Sequence, residues 1–300
     1  MSGYRYSDTG EHGGSSDLLF NRCTKEIGSF PDEIRRGIRD IASRSTRPLW
    51  ICHSGGLASE IMCQLFFEEG VNFSVMTLHY TDGSNEHGVT AVARWCGAHQ
   101  VTQVVESLAL QEFMAQDVAR FQKDGYATNK LSTYIQLRLL EIIEARGGSG
   151  VLGGGHVYYT INDSGPRSEP LWSNVFMYGG NTRVPLQWNS RHESAHEPFF
   201  YFSTPELCAA YYRSPLFAFA LGHTEFFANR KGAPLIRQLI LQTIPIKATP
   251  QMNHHLPKLG EIPYESAPLS LNARSNTSGT GQSHWYLDEI FAQLGITNEA

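Results

Sequence analysis

Pro48-Leu-Trp-Ile-Cys-His-Ser-Gly-Gly-Leu-Ala-Ser-Glu60 is the stretch that decides the fold. Leu49 to Cys52 is a short apolar run that reads as a strand. Ser59 to Glu69 reads as a helix, with Ile61, Met62, Leu65 and Phe66 turned inward and Gly70 as its stop. Between them lies His53-Ser-Gly-Gly-Leu-Ala-Ser59. A strand, a glycine-rich turn and a helix in that order aim free backbone N–H groups into the turn, and anions are the natural guest there.

The neighbouring sequence repeats the unit. Asn72 to His79 alternates and is rich in strand formers. Tyr80-Thr-Asp-Gly-Ser-Asn85 carries turn chemistry, Glu86 to Ala98 has a helical spacing, and Gln100 to Val105 reads as a third strand. Leu108 to Arg146 is mainly helical with a break near Lys123–Tyr126, and Val151-Leu-Gly-Gly-Gly-His156 is a strand entering a second glycine turn. Strands separated by helices imply parallel pairing with right-handed crossovers, and ligands then sit at the C-terminal ends of the strands. The expected fold is α/β: a parallel sheet of about five strands with helices on both faces, followed by a loop- and helix-rich C-terminal half.

The expected organisation is an arm over residues 1–30, an α/β domain over 31–160, a substrate or partner region over 161–270, and a linker with a terminal helix over 271–300. Before the first strand, Ile34, Ile38 and Ile41 mark an amphipathic helix with Arg35, Arg36 and Arg39 on its solvated face. Tyr158 to Tyr201 mixes aromatic and polar residues and reads as loop-rich. Thr204 and Pro205 open a further helix as N-cap and first helical residue.

Hydrophobic residues make up 41% of the 300 and charged residues 18%, an ordinary globular composition. The net charge of −5 argues against a broad nucleic-acid footprint, and no apolar run approaches membrane-spanning length. Five widely spaced cysteines form no CxxC pair and suit a reduced, cytoplasmic setting, with Cys52 and Cys96 as small buried hydrophobes.

Ser54-Gly-Gly-Leu-Ala-Ser59, with its flanking strand and helix and the second turn at Gly153–Gly155, resembles the SGGxDS loop of the N-type ATP pyrophosphatases. This is the PP-loop, adenine nucleotide alpha hydrolase-like superfamily. The similarity spans roughly residues 46–160. It lies nearest to the synthetase domain of asparagine synthetases and to queuosine synthase-like members. The resemblance implies ATP as cofactor, with His53, Ser54, Gly55, Gly56 and Ser59, and Gly153, Gly154 and Gly155, around its phosphates. It implies cleavage between the α- and β-phosphates and transfer of AMP to a small-molecule or nucleotide substrate. A nitrogen or sulfur nucleophile, from a separate ammonia or sulfur donor, then displaces the AMP.

The chain departs from that pattern at Ala58, where the superfamily carries an Asp that helps hold the Mg²⁺–pyrophosphate. A methyl group cannot replace a carboxylate as a Mg²⁺ ligand, so the metal stays open. Glu60 leaves the helix about 200° round from Ala58, at ~100° per residue, a poor direction for substitution. The second glycine turn offers no acid before Asp163. Two functions follow: an adenylating, ligase- or amidotransferase-like enzyme, or a degenerate fold kept as an interaction or structural module, for instance in a viral system.

Other chemistry-bearing residues remain open. His53 is either a phosphate contact or a strand-end histidine bonded to backbone, and His156 is its counterpart across the crevice. Arg138 either points at the phosphates or makes a surface pair. His192 and His196 are four apart but lack a third zinc ligand. Lys231, Arg237 and Asn253-His-His255 give no clear signal.

Overall fold

The computed structural model describes residues 4–8, 16–126, 128, 131–153, 158–161, 175–178, 183–192, 196–197, 200–215 and 284–296. The expected linker, Gly154, Gly155, His156, Lys231, Arg237 and His255 lie outside them.

An antiparallel pair comes first, β1 (Tyr4–Asp8) with β2 (Ser16–Phe20), followed by α1 (Phe30–Arg44). The main unit is β3 (Leu49–Cys52), α2 (Leu57–Glu68), β4 (Ser74–Tyr80), α3 (Glu86–His99), β5 (Gln103–Leu108), α4 (Leu110–Ala115), α5 (Asp117–Lys123), α6 (Leu131–Ala145) and β6 (Ser149–Leu152). Beyond it lie β7 (Tyr158–Ile161), β8 (Val175–Tyr178), α7 (Arg183–His192), a 3-10 turn at Phe200–Phe202, α8 (Pro205–Tyr212), β9 (His284–Tyr286) and α9 (Leu287–Leu294). Strands β7, β8 and β9 form a separate antiparallel sheet.

The central sheet is parallel and has four strands among the described residues, in the order β5-β4-β3-β6, where about five were expected. A parallel bridge from Val151 to Glu197 extends the β6 edge. Register explains the two faces. Ile51 stands opposite Val75 and Val151, and all three enter one apolar cluster with α1, α2, α3 and α8. Cys52 stands opposite Met76 and Leu152, one residue on, and these enter the other cluster with α4, α5, α6 and α7. Strand period two thus places helices on both faces.

Local chemistry sets the helix ends. The Ser29 hydroxyl accepts from Asp32 N–H at the start of α1, and Thr204 accepts from Leu207 N–H at the start of α8. The expected solvated face of α1 is laced to its surroundings. Arg35 and Arg39 both reach Glu69 at the end of α2, at 2.6 and 2.8 Å, and Arg36 pairs with the buried Glu33 at 2.7 Å. Cys52, Cys63, Cys96 and Cys208 are buried free thiols. Among the described residues no helix is long and apolar enough to cross a membrane.

The segment expected as loop contains α7. Its Pro185 sits in the first turn, where a missing N–H costs nothing. Val184, Leu186 and Trp188 are buried at successive spacings of two, and tertiary packing sustains the helix.

Candidate functional site

Strand order reverses at β3. The chain runs from β3 through β4 to β5 on one side, then returns to place β6 on the other. Such a reversal opens a crevice at the C-terminal ends of the two strands. The first glycine turn starts there, and Gly153 follows β6 at the same edge. Gly153 is close enough to α2 that a Cβ on it would stand 3.4 Å from Met62 Cε and 3.6 Å from the Ala58 carbonyl oxygen. His53, Ser54, Gly55, Gly56, Ser59 and Gly153 are therefore brought to one place.

The turn from β3 into α2 is tight. His53 N–H still donates to Met76 O at 2.9 Å, continuing the ladder. Gly55 then takes a φ of +81°, a left-handed conformation that glycine adopts without a Cβ penalty. Its backbone lies directly against Gly88 in α3, so that a Cβ would fall 2.5 Å from Gly88 Cα. Gly56 is the N-cap of α2 and offers no side chain to the helix end. The first turn of an α-helix has N–H groups without carbonyl partners, so Leu57, Ala58 and Ser59 supply donors at this end. Glu60 N–H closes the first turn onto Gly56 O at 3.1 Å.

The loop's side chains divide between inside and outside. Ser54 is exposed, whereas His53 and Ser59 are buried. His53 Nδ1 lies 3.1 Å from Gly55 N and 3.0 Å from Ser59 Oγ. Ser59 Oγ also donates to Gly56 O at 2.8 Å and accepts from Ser54 N–H at 3.4 Å. Burial holds the His53 imidazole down at about 3, so the ring is neutral near pH 7 and adds no charge to the loop. Of the two alternatives left open by sequence, the ring is seen bonded to backbone, at Gly55 N–H.

Ala58 is half-buried, and its carbonyl accepts from Tyr201 O–H at 2.8 Å, tying the 3-10 turn to the first turn of α2. The loop itself presents no carboxylate. Glu60 is buried, and burial pushes its carboxyl up to about 7. Glu86 is paired with His79 at 2.8 Å, and Asp82 accepts from Ser84 N–H at 2.9 Å, which keeps its carboxyl below the usual range. The phosphate-binding part of the expected chemistry fits these residues. The loop carboxylate for Mg²⁺ does not.

The second loop at this edge is built by Asn85, which is buried. Its Oδ1 accepts from Tyr80 N–H at 2.8 Å and its Nδ2 donates to Leu78 O at 2.7 Å. Alanine there should leave both backbone groups unpaired and cost about 2 kcal/mol. A urea melt of Asn85→Ala at the wild-type midpoint would show that water satisfies them instead.

The remaining candidates fall elsewhere. Arg138 pairs with Glu141 at 2.6 Å on the surface of α6. His192 ends α7, stacks on Trp188 at 3.8 Å and bonds Tyr126 at 3.2 Å. His196 is buried at the β6 edge, where its Nδ1 accepts from Gly150 N–H at 2.7 Å. The two histidines do not share a helix face, and among the described residues no group of three or more metal-ligating side chains is assembled. The angular distance of Glu60 from Ala58 speaks only against its reaching a metal there, and the side chain is found buried. Backbone bonding of His53 is one of two readings the sequence allows, and choosing between them needs the position of the ring nitrogen against Gly55 N–H.

No family model matches the chain, and no curated protein matches it. Among solved structures it is similar to an NMN synthetase from Francisella tularensis at 13% identity and a TM-score of 0.32, covering 41% of this chain and 54% of that one. It is similar to a U34-tRNA thiolase from Methanococcus maripaludis at 16% identity and a TM-score of 0.29, covering 41% of this chain and 44% of that one. The chain thus spans about half the length of these two. It is also similar to an NH3-dependent NAD synthetase from Campylobacter jejuni subsp. jejuni at 14% identity and a TM-score of 0.33, covering 74% of this chain and 88% of that one.

Proposed function

We propose that this chain is an adenine-nucleotide-binding protein of the PP-loop type, with His53–Ser59 as the seat of the ATP phosphates. The observation that carries this reading is the glycine turn between β3 and α2, at the point where strand order reverses. The exposed Ser54 hydroxyl and the uncapped first turn of α2 supply neutral donors suited to phosphate oxygens. The reaction proposed is adenylation of a small molecule or modified base. A substrate oxygen attacks the α-phosphorus, the bond to the β-phosphate breaks, and pyrophosphate leaves. A nitrogen or sulfur nucleophile from a separate donor then displaces AMP.

A second reading is favoured by Ala58. Without a carboxylate on the loop there is no protein grip on Mg²⁺ there, and no step is assigned to the metal. The chain would then bind a nucleotide or an already adenylated molecule and use the fold as an interaction module.

Calorimetric titration with ATP, AMP and adenylyl sulfate, with Mg²⁺ present, tests the shared part. Binding of at least one is expected, and Ser54→Glu should abolish it by placing a like charge at the exposed mouth of the loop. No heat with any of the three sinks both nucleotide readings. A pyrophosphate-release assay separates them: release by the wild type supports adenylation, and release only by Ala58→Asp supports the binding module.

A further inference from the structure

The Gly55 backbone nitrogen can only donate, so the contact at 3.1 Å makes His53 Nδ1 an acceptor and puts the ring proton on Nε2. The Ser59 hydroxyl has one proton and shares it between Gly56 O at 2.8 Å and Nδ1 at 3.0 Å. Two donors of the glycine loop are therefore turned inward onto one lone pair. Ser54 Oγ lies at the long distance of 3.5 Å from Ser59 Oγ and is exposed, so its O–H and the first-turn N–H groups of α2 remain to face outward.

The histidine carries a cost. Its Nε2 is buried and has no hydrogen-bond partner among the described residues, and the ring lies 6.5 Å, centroid to centroid, from Trp95 in an edge arrangement. Leucine would fill a similar volume and bury no polar nitrogen. What imidazole supplies and leucine does not is the Nδ1 lone pair.

We infer that His53 is a positioning residue for phosphate: an internal acceptor that turns Gly55 N–H and Ser59 O–H inward and so selects which loop donors meet the ligand. This rests on the phosphate-binding reading above. The ligand class is a di- or polyphosphate whose oxygens accept from Ser54 and from the start of α2. His53 itself does not touch it.

The test uses the full chain with inorganic pyrophosphate as the probe. His53→Leu should weaken binding about tenfold, the worth of one lost neutral hydrogen bond. His53→Asn, whose Oδ1 sits where Nδ1 was, should restore affinity to within about threefold of wild type. Equal loss in both variants, or wild-type affinity in His53→Leu, overturns the inference. Nitrogen-15 NMR of the ligand-free protein should report the Nε2–H tautomer at neutral pH, and an Nδ1–H tautomer overturns it outright. If the wild type binds no pyrophosphate, the functional reading falls and amide exchange at Gly55 decides the rest. Faster exchange in His53→Leu that His53→Asn reverses supports the inward anchor, and unchanged exchange removes it.

Discussion

Gly55→Ala should destabilise the protein by about 2–6 kcal/mol and remove whatever anion binding the loop has. Two independent costs add. A non-glycine residue held in the left-handed region pays about 1–3 kcal/mol, and Gly55 has a φ of +81°. The added methyl would also stand 2.5 Å from Gly88 Cα and 2.9 Å from Gly88 C and O, which are backbone atoms and cannot swing aside. Forcing α3 away from the loop costs about another 1–3 kcal/mol. Against a usual total of about 5–15 kcal/mol, the variant sits near the edge of folding. Gly56→Ala is the control: that residue has a φ of −88°, and its nearest neighbour would be the Ser54 hydroxyl at 3.4 Å. Urea melts of the two variants should differ by several-fold in lost stability. Equal midpoints would show that α3 yields freely and that the contact with Gly88 does not shape the loop. The same contact makes Gly55→Asp a poor probe of charge, because any Cβ fails there before a carboxylate acts. Ser54, exposed beside it, is the position where charge alone can be tested.

What was legible in the sequence was whatever depends on period and punctuation. Leu49–Cys52, the spacing of Ile61, Met62, Leu65 and Phe66, and the glycines between them specify a strand, a turn and a helix by local rules, and the parallel sheet follows from repetition. The break near Lys123–Tyr126 and the Thr204–Pro205 helix start were readable for the same reason. Helix α7 was not, because Val184 and Trp188 are buried in one apolar cluster and Leu186 in the other, both built from distant residues. At the site, the glycines announced the turn, but sequence could not say that Gly55 is required by Gly88, thirty-three positions further on. Nor could it say that two loop donors face His53. Both depend on where α3 sits, a tertiary fact with no local signal.

Acid–base behaviour gives the other large effect, with Glu60→Gln stabilising the protein by about 3 kcal/mol at pH 8 and hardly at all at pH 4. Burial raises the folded carboxyl from 4.5 to about 7, so between those values the folded chain holds a proton that the unfolded chain has released. Stability from this group is fully present below pH 4.5, falls as pH rises, and is gone above about 7. Glutamine mimics the protonated acid and loses nothing along that path. His53 works in the opposite sense. Its folded value is lowered from 6.5 to about 3, so its contribution is present above pH 6.5 and drains away as pH falls towards 3, by about 5 kcal/mol in all. His196, lowered to about 4 chiefly by burial, adds to that acid-side slope. Between pH 4.5 and 6.5 the rising histidine contributions oppose the falling one from Glu60. From 6.5 to 7 Glu60 acts alone, which gives the wild type a shallow optimum near pH 6.5. In Glu60→Gln the fall above the optimum should vanish and stability should level off at its highest value towards pH 8. Urea midpoints measured from pH 4 to pH 9 decide it. An increment from Glu60→Gln that is the same at both ends of that range would mean the carboxylate is solvated and ionised in the folded loop. It would then be an available acid beside Ala58, and the case against a metal at this turn would have to be reopened.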